Sequence, residues 1–365
     1  MKEIFAVIAG GGTAGHLHPG LAVAEALVSR GKRRSEIYFL ASDREIDSKL
    51  ITAANFGFTG LRGKGVGSNS LISLLVALTL LVKSTTSAWK FVLKSKPKVI
   101  LSLGGFASLP GSIAGLITRT PVVLHEQNAI PGRANKLISK WAKKSAVSYL
   151  KTGLPRSVHT GNPVRKELFD LERNDKSLHR SQLGIPLENK MVVVTGGSLG
   201  STRINESVVG ALVYLRQVTD LTIYHIVGSR DWAKFNEPLP SHGIDYRAVE
   251  YEDQMPIVIN SADLIISRAG GSITAEIKLV GVPSILVPLP GAPGDHQTKN
   301  AESLVEDGSA MIIPDNECDS ERLSKEIKGI LLDRKRLSDM TNAKPGMPNK
   351  NAAESIAALL IKEAK

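Results

Sequence analysis

The sequence predicts an α/β fold made of two Rossmann-like domains facing a central cleft, and three observations carry that prediction. First, 365 residues exceed what one ordinary core accommodates. Second, an apolar, β-branched run ends four times in a small-residue loop that opens a helical pattern. These are IFAVIAGGGTAGH, KVILSLGGFASLPGSIAGL, KMVVVTGGSLGSTRIN and ADLIISRAGGSITAEI. Third, the pattern restarts at Met191, after the Gly-Asn-Pro of VHTGNPVRKELF (158–169), the expected linker.

Further buried-strand runs are EIYFLAS, PVVLHEQN, LTIYHIVG and PSILVPLP. Short apolar strands alternating with helices belong to parallel sheets covered on both faces. Ligands of such sheets bind at the C-terminal strand ends, which places the cleft there. The expected domains are 1–162 and 163–345, with a helix at about 350–365 packing back on the first. An apolar content of 42% and a charged content of 22% are those of a soluble globular protein. The single cysteine, Cys318, rules out an internal disulfide and fits a reducing compartment. The start, MKEIFAVIAGGG, is read as a first strand rather than a signal peptide.

The net charge of +11 is unevenly placed. Residues 48–166 hold eighteen Lys or Arg and one acid, Glu126, whereas residues 167–365 carry −6. A cationic body suits an anionic partner. With 5% aromatics and no basic helix interleaved with stacking rings, nucleic acid is not expected. The segment LISLLVALTLLVK (71–83) instead suggests a membrane. It is apolar all round, and twelve residues fall short of the ~20 needed to span a bilayer. A buried core helix is one reading. The other is a wedge in an anionic surface, with Leu71, Leu75, Leu78 and Lys83 in contact and Lys90, Lys94, Lys96 and Lys98 around them.

Gly10 to Gly15 spell the dinucleotide fingerprint G-x-G-x-x-G. That fingerprint wants an acid about twenty residues further on to hold a ribose, and Asp43 lies twenty-eight residues past Gly15. A cradle for another phosphate is the better reading, because free N–H groups at a helix start bind anions generally. Similar loops surround Ser198 and Gly270-Gly271.

The set GGTAGHLHP, HEQN, GNPVR, GGSLG, SRAGGSITAE and DHQTKNA, in that order, resembles the MurG family of bacterial glycosyltransferases. The resemblance runs from residue 4 to roughly 345. It implies a GT-B fold with an N-terminal acceptor domain and a C-terminal UDP-sugar domain, and neither cofactor nor metal. The implied reaction is inverting transfer of N-acetylglucosamine from UDP-N-acetylglucosamine to lipid I, undecaprenyl-pyrophosphoryl-N-acetylmuramyl-pentapeptide. The product is lipid II, used in peptidoglycan synthesis. The implied location is peripheral, on the cytoplasmic face of the bacterial cell membrane. Competing readings are a related transferase with another lipid acceptor, a UDP-N-acetylglucosamine 2-epimerase, and a non-enzymatic UDP-sugar-binding protein.

By this resemblance Thr13, Ala14 and Gly15 face the cleft, with Ala14 where the family usually has glycine. His16 is the expected base, since imidazole titrates near neutral pH; Glu126 is the alternative. Asn128 contacts the sugar, although its residue type also suits the turn before Ile130-Pro131. Arg165 and Ser198 reach the phosphates, Ser198 serving equally as a helix N-cap. Gly270, Gly271 and Ser272 hold the pyrophosphate and Glu276 the ribose. His296 and Gln297 read the sugar. Glu252 replaces a commonly apolar residue, and its side chain is expected to point away.

Overall fold

The computed structural model describes residues 3–12, 14–63, 71–171, 175–236, 243–343 and 351–364. Thr13 lies outside the described residues, as do the side chains of Ala14 and Leu71. The chain divides into two compact units, Met1–Val164 with Asn349–Lys365, and Arg165–Pro348.

The first unit contains β1 (Ala6–Ala9), β2 (Ile37–Ser42), β3 (Gly57–Leu61), β4 (Val99–Ser102), β5 (Val122–Glu126), β6 (Lys144–Val147) and β7 (Ser157–His159). They form one parallel sheet in the order β3-β2-β1-β4-β5-β6-β7. The winding reverses between β1 and β4, where Ile8 lies between Phe39 and Leu101 in register. β1 and β4 are buried along their whole length, so both faces must be apolar. Ile8 packs on one side with Leu17, Leu27, Phe39 and Leu360. Val7 and Ala9 pack on the other with Leu40, Ala88, Val92 and Ala114.

The second unit contains β8 (Lys190–Thr195), β9 (Leu221–Ile226), β10 (Asp245–Val249), β11 (Leu264–Ser267), β12 (Ser284–Leu286) and β13 (Ala310–Ile312). Their order is β10-β9-β8-β11-β12-β13, again parallel, and the winding reverses between β8 and β11. The helix Thr202–Leu215 covers this sheet through Ile204, Val208, Ala211 and Leu215, against Leu323 and Ile327.

The apolar run at 71–82 is only the first half of a longer helix, Leu71–Ser95. Its part Leu75–Ser95 is long and apolar enough to cross a membrane, with a mean hydropathy of 1.2. One stripe of it, Ala77, Ser84, Ala88, Val92 and Ser95, is nevertheless buried, and the helix packs along the helix Ser108–Thr118. Small residues face inward and let the helices approach. The large ones face outward, with Leu75 and Val82 each 64% exposed, and Val76, Leu78 and Leu93 exposed beside them. That distribution excludes the core-helix reading for Leu75 and Leu78, while Leu80 and Leu81 are half-buried.

Candidate active site

In the first unit the loop after β1 lies at the switch point of the sheet, the usual ligand position in doubly wound folds. A buried carboxylate holds it. Asp47 Oδ2 accepts hydrogen bonds from Gly12 N (2.7 Å), Ser42 N (3.0 Å) and Ser42 Oγ (2.7 Å). Arg44 Nη1 donates to Gly12 O at 2.6 Å. Only glycine fits at Gly11, because a Cβ there would stand 2.2 Å from Asp47 Oδ2. The N–H of Gly12 is therefore engaged inside the protein, which corrects the expectation of an open phosphate cradle at that amide. The acid that matters here is Asp47, and it binds the loop rather than a ribose.

The helix Ala14–Ser29 follows. Gly15 is exposed and His16 half-buried on its first turn. The imidazole lies over Gly105 in the loop after β4, its Nε2 3.6 Å from where a Cβ on that glycine would stand. Two adjacent strand ends thus bracket His16.

Glu126 ends β5 and is 1% exposed. Its Oε1 accepts from Asn128 N (3.0 Å) and Asn128 Nδ2 (3.1 Å), and its Oε2 from Gly132 N (3.0 Å) and Asn135 Nδ2 (2.8 Å). Both oxygens are engaged, so the carboxylate anchors the loop 127–132. Asn128 shows the turn chemistry its residue type suggested.

His125, just before Glu126 in the chain, is fully buried, with Nε2 3.4 Å from Gly161 O and from Ser148 Oγ. Burial pushes its pKa down to about 4, and the charge of His16 acts in the same direction. Between pH 6.5 and 4 the unfolded chain takes up a proton that the folded chain refuses, so stability falls as pH falls through that window. The share from His125 is about 2 kcal/mol by pH 5. Urea midpoints at pH 7 and pH 5 check this, and His125→Gln should flatten the difference.

The second unit assembles its groups at the β8–β11 switch point. Gly196 to Gly200 form the loop after β8, and a Cβ on Gly200 would stand 2.1 Å from Val227 O. Ser198 in this loop is half-buried. The N-cap of Thr202–Leu215 is Ser201, whose hydroxyl accepts from Ile204 N. The N-cap reading of Ser198 is thereby corrected, because the loop runs three residues further before the helix starts.

After β11, Gly270 is the N-cap of the helix Gly271–Val280, and no atom lies within 4 Å of a Cβ placed on it. Ser272 is half-buried on the first turn. Glu276 lies one turn further and forms a forked pair with Arg165, Nε–Oε1 2.8 Å and Nη2–Oε2 2.7 Å. Burial opposes the charge of Arg165, but the charge and hydrogen bonds of Glu276, joined by Tyr251 and Glu167, together outweigh it and the arginine pKa is raised. Sequence reading gave these two residues separate ligands; the structure brings them together.

Gln297 Oε1 accepts from Leu289 N (2.9 Å) and Ala269 N (3.2 Å), which turns that oxygen toward backbone. His296 Nδ1 is 3.0 Å from Pro293 O. Glu252 Oε2 accepts from Tyr224 OH at 2.6 Å and its Oε1 from Gln254 N at 2.6 Å. Its side chain folds back onto β9, and burial together with Glu252 raises the pKa of Tyr224. Asp47, Arg44 and Arg268 escaped sequence reading; no local pattern marks a contact to a loop dozens of residues away.

The descriptions "Glycosyltransferase family 28 N-terminal domain" and "Glycosyltransferase family 28 C-terminal domain" match residues 6–147 and 191–360. A relative from Shewanella loihica is 35% identical over 97% of this chain and 96% of its own length. It is called UDP-N-acetylglucosamine--N-acetylmuramyl-(pentapeptide) pyrophosphoryl-undecaprenol N-acetylglucosamine transferase. The crystal structure of MurG from Acinetobacter baumannii superposes with a TM-score of 0.71 at 27% identity, covering 99% of this chain and 100% of that one. A UDP-GlcNAc 2-epimerase from Neisseria meningitidis reaches a TM-score of 0.68 at 15% identity, covering 98% of this chain and 100% of that one. The epimerase shares the fold alone.

Proposed function

The chain belongs to the MurG family within glycosyltransferase family 28, and from that premise we propose how its residues divide the reaction. The reaction is transfer of N-acetylglucosamine from UDP-N-acetylglucosamine to the C4 hydroxyl of the N-acetylmuramic acid of lipid I, forming lipid II. The acceptor belongs to the first unit and the UDP-sugar to the second. The acceptor oxygen attacks the anomeric carbon, the bond to the diphosphate oxygen breaks, and UDP leaves with the electron pair. His16 takes the acceptor's proton.

The observation that carries His16 over Glu126 is hydrogen bonding. Glu126 already accepts four hydrogen bonds, and protonating it would break at least one and release the loop it holds. His16 stands half-buried at the β1–β4 switch point instead. On the donor side, Ser198 and the Gly270–Ser272 turn face the diphosphate, Arg165 and Glu276 the nucleoside end, and His296 and Gln297 the sugar. Of the groups on Gln297, the NH2 is the one for the sugar, because Oε1 serves the backbone. Radiolabel transfer from UDP-N-acetylglucosamine to a lipid I analogue tests the whole reading, and absence of labelled product refutes it.

The first unit also docks on an anionic membrane surface, which makes the protein peripheral on the cytoplasmic face of the cell membrane. Support comes from the exposed residues Leu75, Val76, Leu78, Val82 and Leu93 on one helix, with Leu116 and Ile117 exposed on the helix packed against it, and from the exposed Lys83, Lys90 and Lys94. Apolar insertion and lysine attraction act together, and salt weakens only the second. Vesicle binding should therefore weaken between low and high ionic strength without vanishing. Because Leu75 and Leu78 are exposed, a Leu75→Glu, Leu78→Glu double variant should stay folded and lose vesicle binding, with turnover of a soluble acceptor analogue intact. Full vesicle binding by the folded double variant would place the contact elsewhere.

A further inference from the structure

We propose that Arg268 is a positioning residue that locks the donor loops of the second unit to one another, an inference that rests on reading that unit as the UDP-sugar site. Arg268 follows β11 directly, and its side chain is 12% exposed. Nη1 donates to Val287 O (3.1 Å) and Pro288 O (3.0 Å) at the end of β12, and to Asp315 Oδ1 (2.6 Å) beyond β13. Nη2 donates to Ser201 Oγ (2.7 Å), the N-cap that closes the loop after β8. One planar guanidinium therefore reaches the segments that follow three other strands from the end of a fourth.

The segments after β8 and β12, and the one after β11 itself, are those that carry the proposed donor groups. The Ser201 cap sets the end of the Ser198 loop. Pro288 leads to Leu289, whose N–H is held by Gln297. The residue after Arg268, Ala269, is gripped on both sides, its N–H by Gln297 Oε1 and its carbonyl by Asn300 Nδ2 at 3.0 Å. The Gly270–Ser272 turn starts one residue later. Phosphate, ribose and sugar positions thus share one polar hub. A lysine has three donors on a point charge and lacks the flat fork, so it cannot span these partners at once.

Two variants test the proposal: Arg268→Lys, and Asp315→Asn, which loosens the guanidinium without removing it. UDP titration calorimetry and steady-state kinetics with UDP-N-acetylglucosamine are the readouts. Losing the charge-assisted bonds of Arg268 should weaken UDP binding about ten- to hundredfold. The KM for the donor sugar should rise by at least the same factor, because the Gln297 contact moves with the hub. Asp315→Asn should show the same pattern at about three- to tenfold. If Arg268 were instead a direct phosphate ligand, Asp315→Asn would free it toward the ligand and leave UDP affinity unchanged or tighter. That result overturns the proposal. A wild-type protein that binds no UDP would defeat the donor-site reading first, and this inference with it.

Discussion

His16→Ala should lower kcat for sugar transfer by about 10²–10⁴-fold, the usual range for losing a general base. UDP affinity should change little, since the proposed donor groups belong to the other unit. The loop itself should survive the substitution, because Asp47 and Arg44 hold it from the β2 side through Gly12. A loss of turnover without a loss of UDP binding is therefore interpretable as chemistry. If the variant keeps half of wild-type turnover, the base is another group, and Glu126 would have to give up hydrogen bonds to serve.

Glu276→Ala should have two separable consequences. The first is structural: it leaves the guanidinium of Arg165, 14% exposed, without its forked partner. Breaking a buried pair on one side costs about 3–5 kcal/mol, whereas replacing both sides is far milder. The second is loss of donor affinity by about 1.5–3 kcal/mol if the carboxylate accepts from ribose hydroxyls. An Arg165→Met, Glu276→Gln double variant separates them, since it should recover much of the stability and not the affinity. Titration with UDP and a 2′,3′-dideoxy analogue completes the test. A variant that prefers UDP over the analogue as strongly as wild type rules out Glu276 as the ribose ligand.

The parts of the fold legible in the sequence are those whose burial is complete. β1, β4, β5, β8, β9 and β11 read as apolar runs because both faces are covered. β3, β7 and β10 lie at or beside sheet edges, and they keep polar or exposed residues such as Gly57, Ser157 and Asp245. Nothing in five such residues distinguishes a strand from a loop. The site divides in the same way. Glycine turns before helices are visible because a close approach or positive φ selects the residue itself. Asp47, thirty-five positions from Gly12, and Arg268, forty-seven from Asp315, act across the fold and leave no spacing to find. The pairing of Arg165 with Glu276, 111 positions apart, is equally silent in sequence.

The helix Ala352–Glu363 has a consequence for how the protein is made. It lies on the first unit, against the helix Ala14–Ser29, with Ile356, Ala357 and Leu360 buried beside Leu17 and Leu27 and an Arg30–Glu354 ion pair of 2.6 Å at the edge. The second unit is therefore an insertion within the first. A ribosome delivers every strand of the first sheet early, yet one of the helices that complete its covering emerges only after the whole second unit. At typical elongation rates that delay is roughly ten to forty seconds. Throughout it the nascent first unit shows an uncovered apolar flank, whereas the second unit has all its strands as soon as Ile312 has emerged and can close before the last helix arrives. The half that emerges first is thus the half that finishes last, and its waiting surface is one a chaperone would recognise.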